Sequence, residues 1–137
     1  MKQWLMDYVL DTYGIEPERP FRTVPDTLVF RNTGNRKWFA VLLGQLPKTC
    51  IGLADEGLAD VLNLKCDPLM THSLIDNQTI FHAYHLNKEH WISVLLDSPI
   101  STDELTFLVD LSYRLVERKS SLKSHEESQS TQRPAGV

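Results

Sequence analysis

Three histidines stand close together in this chain, at His82, His85 and His90. An H-x-x-H pair followed by a third imidazole can supply zinc ligands when a helix turns the first two to one side. Phe81–Leu86 reads as extended, however, and an extended backbone sends His82 and His85 to opposite faces. No cysteine or acid in the stretch plainly completes a ligand set, so no metal is assigned. Ser73, Ser93 or Cys66 could in principle pair with a histidine as a nucleophile, yet no G-x-S-x-G elbow surrounds either serine and no glycine-rich phosphate loop occurs. Asp55–Glu56 and Glu126–Glu127 fall in loop or tail text, where solvation is their expected fate. Cys50 and Cys66, the only two cysteines, do not form a C-x-x-C pair. Reduced thiols acting as small hydrophobes are expected. The reading is of a protein that is not an enzyme and carries no cofactor.

Charge offers a different chemistry. The net charge of −4 argues against general nucleic-acid binding, because phosphate neutralisation calls for a basic surface. Its distribution is uneven. Residues 19–48 hold Arg19, Arg22, Arg31, Arg36, Lys37 and Lys48 against Asp26 alone, inside an acidic background. Trp38, Tyr84, Trp91 and Tyr113 could stack bases, although aromatic residues in strands are usually core, Trp91 most of all.

These residues need elements to position them. Residues 2–14 read as an amphipathic helix, with Leu5, Tyr8 and Val9 on one side and Gly14 as its stop. Pro17, Pro20 and Pro25 then favour an extended connection. Thr27–Arg31 and Lys37–Gln45 read as strands, joined by a hairpin loop at Asn32, Thr33, Gly34 and Asn35. Residues 46–57 fit no period. A strand follows at Ala59–Lys65, then a short helix capped by Asp67 with Pro68 at its first position, ending near Ile75. After the extended Phe81–Leu86, Asn87 caps a single turn and Trp91–Asp97 forms another strand. Tyr84 and His90 are suited to hydrogen-bond across that turn. The last helix opens on an S-x-x-E capping box, Ser101 and Glu104, and runs to Lys119. Its buried stripe is Leu105, Leu108, Val109, Ser112, Leu115 and Val116. A disordered tail is expected over residues 120–137, leaving one α+β domain over 1–119, an antiparallel sheet with helices on one face.

The run Tyr84-His85-Leu86-Asn87-Lys88-Glu89-His90-Trp91, followed by Val94 and Asp97, resembles the signature of the MmcQ/YjbR family. Ser112-Tyr113 with Leu115-Val116 is similar to its SY-x-LV element, Leu64-Lys65-Cys66-Asp67-Pro68 to its L-K-C-x-P element, and Phe39-Ala40 to its second hairpin strand. The likeness runs over roughly residues 3–119. It implies a two-layer, CyaY-like fold. The family is labelled DNA-binding because its fold resembles the double-wing domain of a phage transcription modulator, and an analogy of fold does not fix function. The resemblance brings no catalytic residue.

The expectation is therefore a regulatory module that contacts DNA phosphates through Arg19, Arg22, Arg31, Arg36, Lys37 and Lys88. The alternative is a domain that binds another protein or a small ligand and has no nucleic-acid role. No apolar run approaches the roughly 20 residues needed to span a bilayer. Asp7 and Asp11 make the N-terminus unlike a secretory signal. A cytoplasmic monomer is expected.

Overall fold

Alternation along the strands divides the apolar residues between two sides of one sheet. The computed structural model describes residues 1–23 and 26–122. Its elements are α1 (Lys2–Tyr13), β1 (Thr27–Arg31), β2 (Trp38–Pro47), a 3-10 turn over Lys48–Ile51, β3 (Leu58–Lys65), α2 (Pro68–Leu74), β4 (Ile80–His82), β5 (Trp91–Leu95) and α3 (Thr102–Leu122). The five strands pair antiparallel in the order β1-β2-β3-β5-β4. Three helices and an antiparallel sheet make the α+β architecture that the sequence predicts.

Successive strand side chains point to opposite faces. Leu28 and Phe30 of β1, Ala40 and Leu42 of β2, Leu62 and Leu64 of β3, and Ile92 and Val94 of β5 share the main core with Leu5 and Val9 of α1 and with Leu105, Val109 and Val116 of α3. The alternate positions Val29, Val41 and Trp91 build a second cluster, and Val61 and Leu95 a third. The helices cover one face. Loops cover the other, with Ala83 and Leu86 over one end and Ile51 and Leu53 over the far end.

Local chemistry fixes the ends of these elements. Gly14 takes φ 69° and its N–H reaches Leu10 O at 2.8 Å, the left-handed stop that glycine accepts at least cost. Asp67 caps α2 by accepting from Leu69 N, with Pro68 next. Ser101 and Glu104 form the predicted capping box, Glu104 N donating to Ser101 Oγ at 3.0 Å and Ser101 N to Glu104 Oε1 at 3.3 Å. Between Leu43 and Leu46 the β2–β3 register slips, with Gln45 at φ 54°, and Gln45 N is held by Asp60 Oδ1 at 3.1 Å. A β-bulge there carries β2 on to Pro47, past the predicted end at Gln45.

Three expectations need correcting. Phe81–Leu86 is not one strand: β4 stops at His82 and His85 adopts φ 66°. The chain leaves the sheet there because Asn63 and Ser93 take up the backbone of Tyr84, as described below. The strand expected to reach Asp97 ends at Leu95, where a turn begins, Ser98 N donating to Leu95 O at 3.2 Å. The last helix passes the predicted boundary at Lys119 and is described as far as Leu122, so residues 120–122 are helical. The remainder of the expected tail lies outside the described residues.

Candidate functional site

The sheet face that carries no helix gathers the residues singled out by charge and motif. Phe21 and Trp38 pack against Val29, Val41, Ala83, Leu86 and Trp91, so three separate segments meet there: 18–23, 31–38 and 83–91. Phe21 meets Trp38 edge-on, with centroids 6.4 Å apart. Two cations lie over indole rings: the Arg31 guanidinium is 5.7 Å from the Trp38 centroid and Lys65 Nζ is 5.0 Å from that of Trp91. Arg19 and Arg22 flank Phe21 in sequence and are exposed, as is Lys88.

The Glu18 carboxylate engages two of these cations. Glu18 Oε1 accepts from Arg31 Nε at 3.0 Å and Oε2 from Arg36 Nη2 at 2.7 Å. These hydrogen bonds, that from Arg36 foremost, hold the Glu18 carboxyl below the usual carboxylate range. Arg31 Nη1 also donates to Arg36 O at 3.1 Å. The other basic residues divide. Lys37 is half-buried, with its Nζ turned out of solvent. Lys48 lies beyond the far end of β2, in the 3-10 turn, 3.7 Å from Asp55. The six cations between Arg19 and Lys48 thus do not form one patch. Arg31 and Arg36 share Glu18, while Arg19, Arg22 and Lys88 are exposed on the segments that meet at the Phe21–Trp38–Trp91 cluster, with Glu89 exposed beside Lys88.

The motif residues mostly build the fold. Asn87 Oδ1 accepts from Glu89 N at 2.7 Å and His90 N at 3.3 Å, capping the predicted turn. Lys88 Nζ donates to Ala83 O at 2.9 Å, tying the two ends of the loop together. His90 O accepts from Cys66 N at 2.8 Å, and Trp91 is 2% exposed, the packing role expected of it. Tyr84 is held through its backbone: its N donates to Ser93 Oγ at 3.0 Å, its O accepts from Asn63 Nδ2 at 3.0 Å, and Ser93 Oγ donates to Asn63 Oδ1. A hydrogen bond with Cys50, aided by burial, pushes the Tyr84 phenol up. The His85 ring lies 4.0 Å from that of Tyr84 and is exposed.

On the helix side, Ser112 Oγ donates to Phe39 O at 2.5 Å and accepts from Lys65 N at 2.9 Å, joining α3 to two strands. Tyr113 stacks on Tyr13 at 4.0 Å. The Tyr8 and Tyr13 hydroxyls both donate to Asp110 Oδ1, at 2.7 and 2.5 Å, which locks α1 to α3. Burial and that carboxylate push the Tyr13 phenol far up. The four candidate stacking aromatics therefore do not form one platform, because Tyr113 belongs to the helix side.

Catalytic candidates are dispersed. His82 is exposed on β4 and His85 sits in the loop beyond it. Among the described residues no three of His, Cys, Asp and Glu are grouped to hold a metal ion. Burial pushes the Cys66 thiol up, so a thiolate is disfavoured, and both cysteines are free thiols. Between α2, α3 and the sheet lies a groove of about 280 Å³ whose apolar lining includes Met70, Leu74, Ile92, Leu108, Leu111 and Leu115, with Arg114 among its polar residues. No described helix is long and apolar enough to cross a membrane.

Comparison with known proteins agrees with this architecture. The YjbR family model matches residues 10–115. The chain belongs to the YjbR family. It is 34% identical over 111 residues to the Bacillus subtilis uncharacterized protein YyaQ, covering 81% of this chain and 93% of that one. A Pseudomonas syringae crystal structure matches with TM-score 0.80 at 38% identity, over 84% of this chain and 97% of that one. A Deinococcus radiodurans structure carrying the domain DUF419 matches with TM-score 0.63 at 28% identity, over 88% and 82%. Sequence reasoning missed Glu18, Asn63, Ser93 and Lys65 as parts of this face. Glu18 lies 13 and 18 residues from its two arginines, a separation with no local pattern to find. Lys65 stood in the L-K-C-x-P element, but its place opposite Trp91 depends on strand register.

Proposed function

We propose that this YjbR-family chain is a non-enzymatic module that binds nucleic acid through the helix-free face of its sheet. The observation that carries the reading is the meeting of three cation-bearing segments around Phe21, Trp38 and Trp91. Arg19 and Arg22 come from the proline-rich connection, Arg31 and Arg36 from the hairpin, and Lys88 from the motif loop. Lys37, whose Nζ is buried, does not belong to the contact set. Phosphate contacts would supply affinity, while Trp38 offers an apolar edge beside them. With Glu18 engaging two arginines, the interaction would be weak and salt-sensitive. Fluorescence anisotropy of a labelled duplex against the full chain tests this. Affinity should fall as salt rises, with a log–log slope of about −0.9 per phosphate contacted, hence about −3 for three contacts. Lack of binding at about 50 mM salt, where phosphate contacts are strongest, would remove the proposal.

A second reading is favoured by the α2–α3 groove, which suits a small apolar ligand or a partner side chain better than a phosphate. Exchange of Arg22 and Arg36 for glutamate separates the two. Binding to the duplex should be lost under the first reading, and binding to the true partner left intact under the second.

A further inference from the structure

The contact between Glu18 and the hairpin has the geometry of an occupied anion site. Two guanidiniums approach one carboxylate, one from the end of β1 and one from the hairpin loop, each taking a different oxygen: Arg31 Nε on Oε1 and Arg36 Nη2 on Oε2. Arg36 reaches this position from a backbone at φ 64°, in the left-handed region that side chains other than glycine seldom adopt. Arg31 is steadied by its second bond, to Arg36 O. Two donors converging on two oxygens of one anion is also how arginines grip a phosphate.

We propose that the Arg31–Arg36 pair is a phosphate seat held shut by Glu18, so that this carboxylate is an internal competitor of the nucleic-acid backbone. The inference rests on the nucleic-acid reading above and adds how that site is regulated. The Glu18 backbone is fixed, because its N donates to Val29 O and its O accepts from Val29 N, both at 2.9 Å. Opening the seat therefore requires only the side chain to swing aside. The ion pairs are exposed enough to exchange: the side chains of Arg31, Glu18 and Arg36 are 27%, 40% and 60% accessible. An incoming phosphate takes the two guanidiniums, and the freed carboxylate moves into water. Two cations that faced one anion then face two, which keeps affinity low and lets one residue set its level.

The decisive variant is Glu18→Gln, with Glu18→Ser as its companion because glutamine can keep one hydrogen bond. Anisotropy titrations of wild type and both variants are run against the same labelled duplex across salt concentrations. Removal of the competitor should tighten binding by about tenfold at low salt and steepen the log–log slope by about one, as a further phosphate contact would. Binding by the variants that equals or falls below wild type would overturn the latch and leave the nucleic-acid reading standing. Failure of wild type and variants alike to bind would overturn both.

Discussion

Ser93 is fully buried and its hydroxyl both donates to Asn63 Oδ1 and accepts from Tyr84 N. Exchange for alanine takes this partner from the buried Asn63 Oδ1 and from the half-buried Tyr84 N. Ser93→Ala should cost about 1–3 kcal/mol in urea unfolding, far more than an exposed serine. At Glu18 the sign of a pH effect follows from its lowered carboxyl. Its stabilising contribution is present above the ordinary carboxylate range and is lost as pH falls through the depressed folded value. Wild type and Glu18→Gln should thus differ slightly at pH 7, by about 0.5 kcal/mol given the exposure of the pair, and converge in acid; chemical denaturation at both pH values checks this. Single residues were the least legible scale in the sequence. Asn87 and Ser101 could be read as caps because their partners lie two or three residues away. Asn63 and Ser93 could not, since they meet only through the β3–β5 register.

Elements were more legible, because helix and strand periods are local. The capping box, the proline after Asp67 and the glycine after Tyr13 all mark real ends. Ser101→Ala should lower stability by about 1 kcal/mol, the usual worth of an N-cap side chain, measurable as a shift in thermal midpoint. The region that fits no period, 46–57, is irregular for a reason: β2 bulges, then ends in a 3-10 turn before Gly52 at φ 91°. Gly44 adds a constraint that a hydrophobicity pattern does not reveal. A Cβ there would lie 3.0 Å from Asp26 O, and Gly44 N already donates to that oxygen at 3.0 Å. Gly44→Val should therefore displace the segment before β1 and destabilise the protein by about 1–3 kcal/mol, seen as a lower urea midpoint. The strand predicted over Phe81–Leu86 failed because the pull of Asn63 and Ser93 on Tyr84 comes from outside the segment.

Across the whole molecule the sheet separates stability from the candidate surface. One face is sealed by α1 and α3, with Tyr8, Tyr13 and Asp110 joining them. The opposite face presents cations, half-buried aromatic residues and the motif loop. The sequence could indicate that basic residues cluster along the chain, but not that Lys48 would depart to the far end or that the Lys37 Nζ would be buried. Tertiary structure alone decides those distances. The three tryptophans sample both faces: Trp4 packs with the helix-side core, whereas Trp38 and Trp91 belong to the opposite cluster. Their indole N–H resonances in a two-dimensional NMR titration of the full chain with a short duplex give the most direct test. Binding through the helix-free face predicts that Trp38 and Trp91 shift while Trp4 stays in place. A shift confined to Trp4, or no shift at any of the three at low salt, would contradict it.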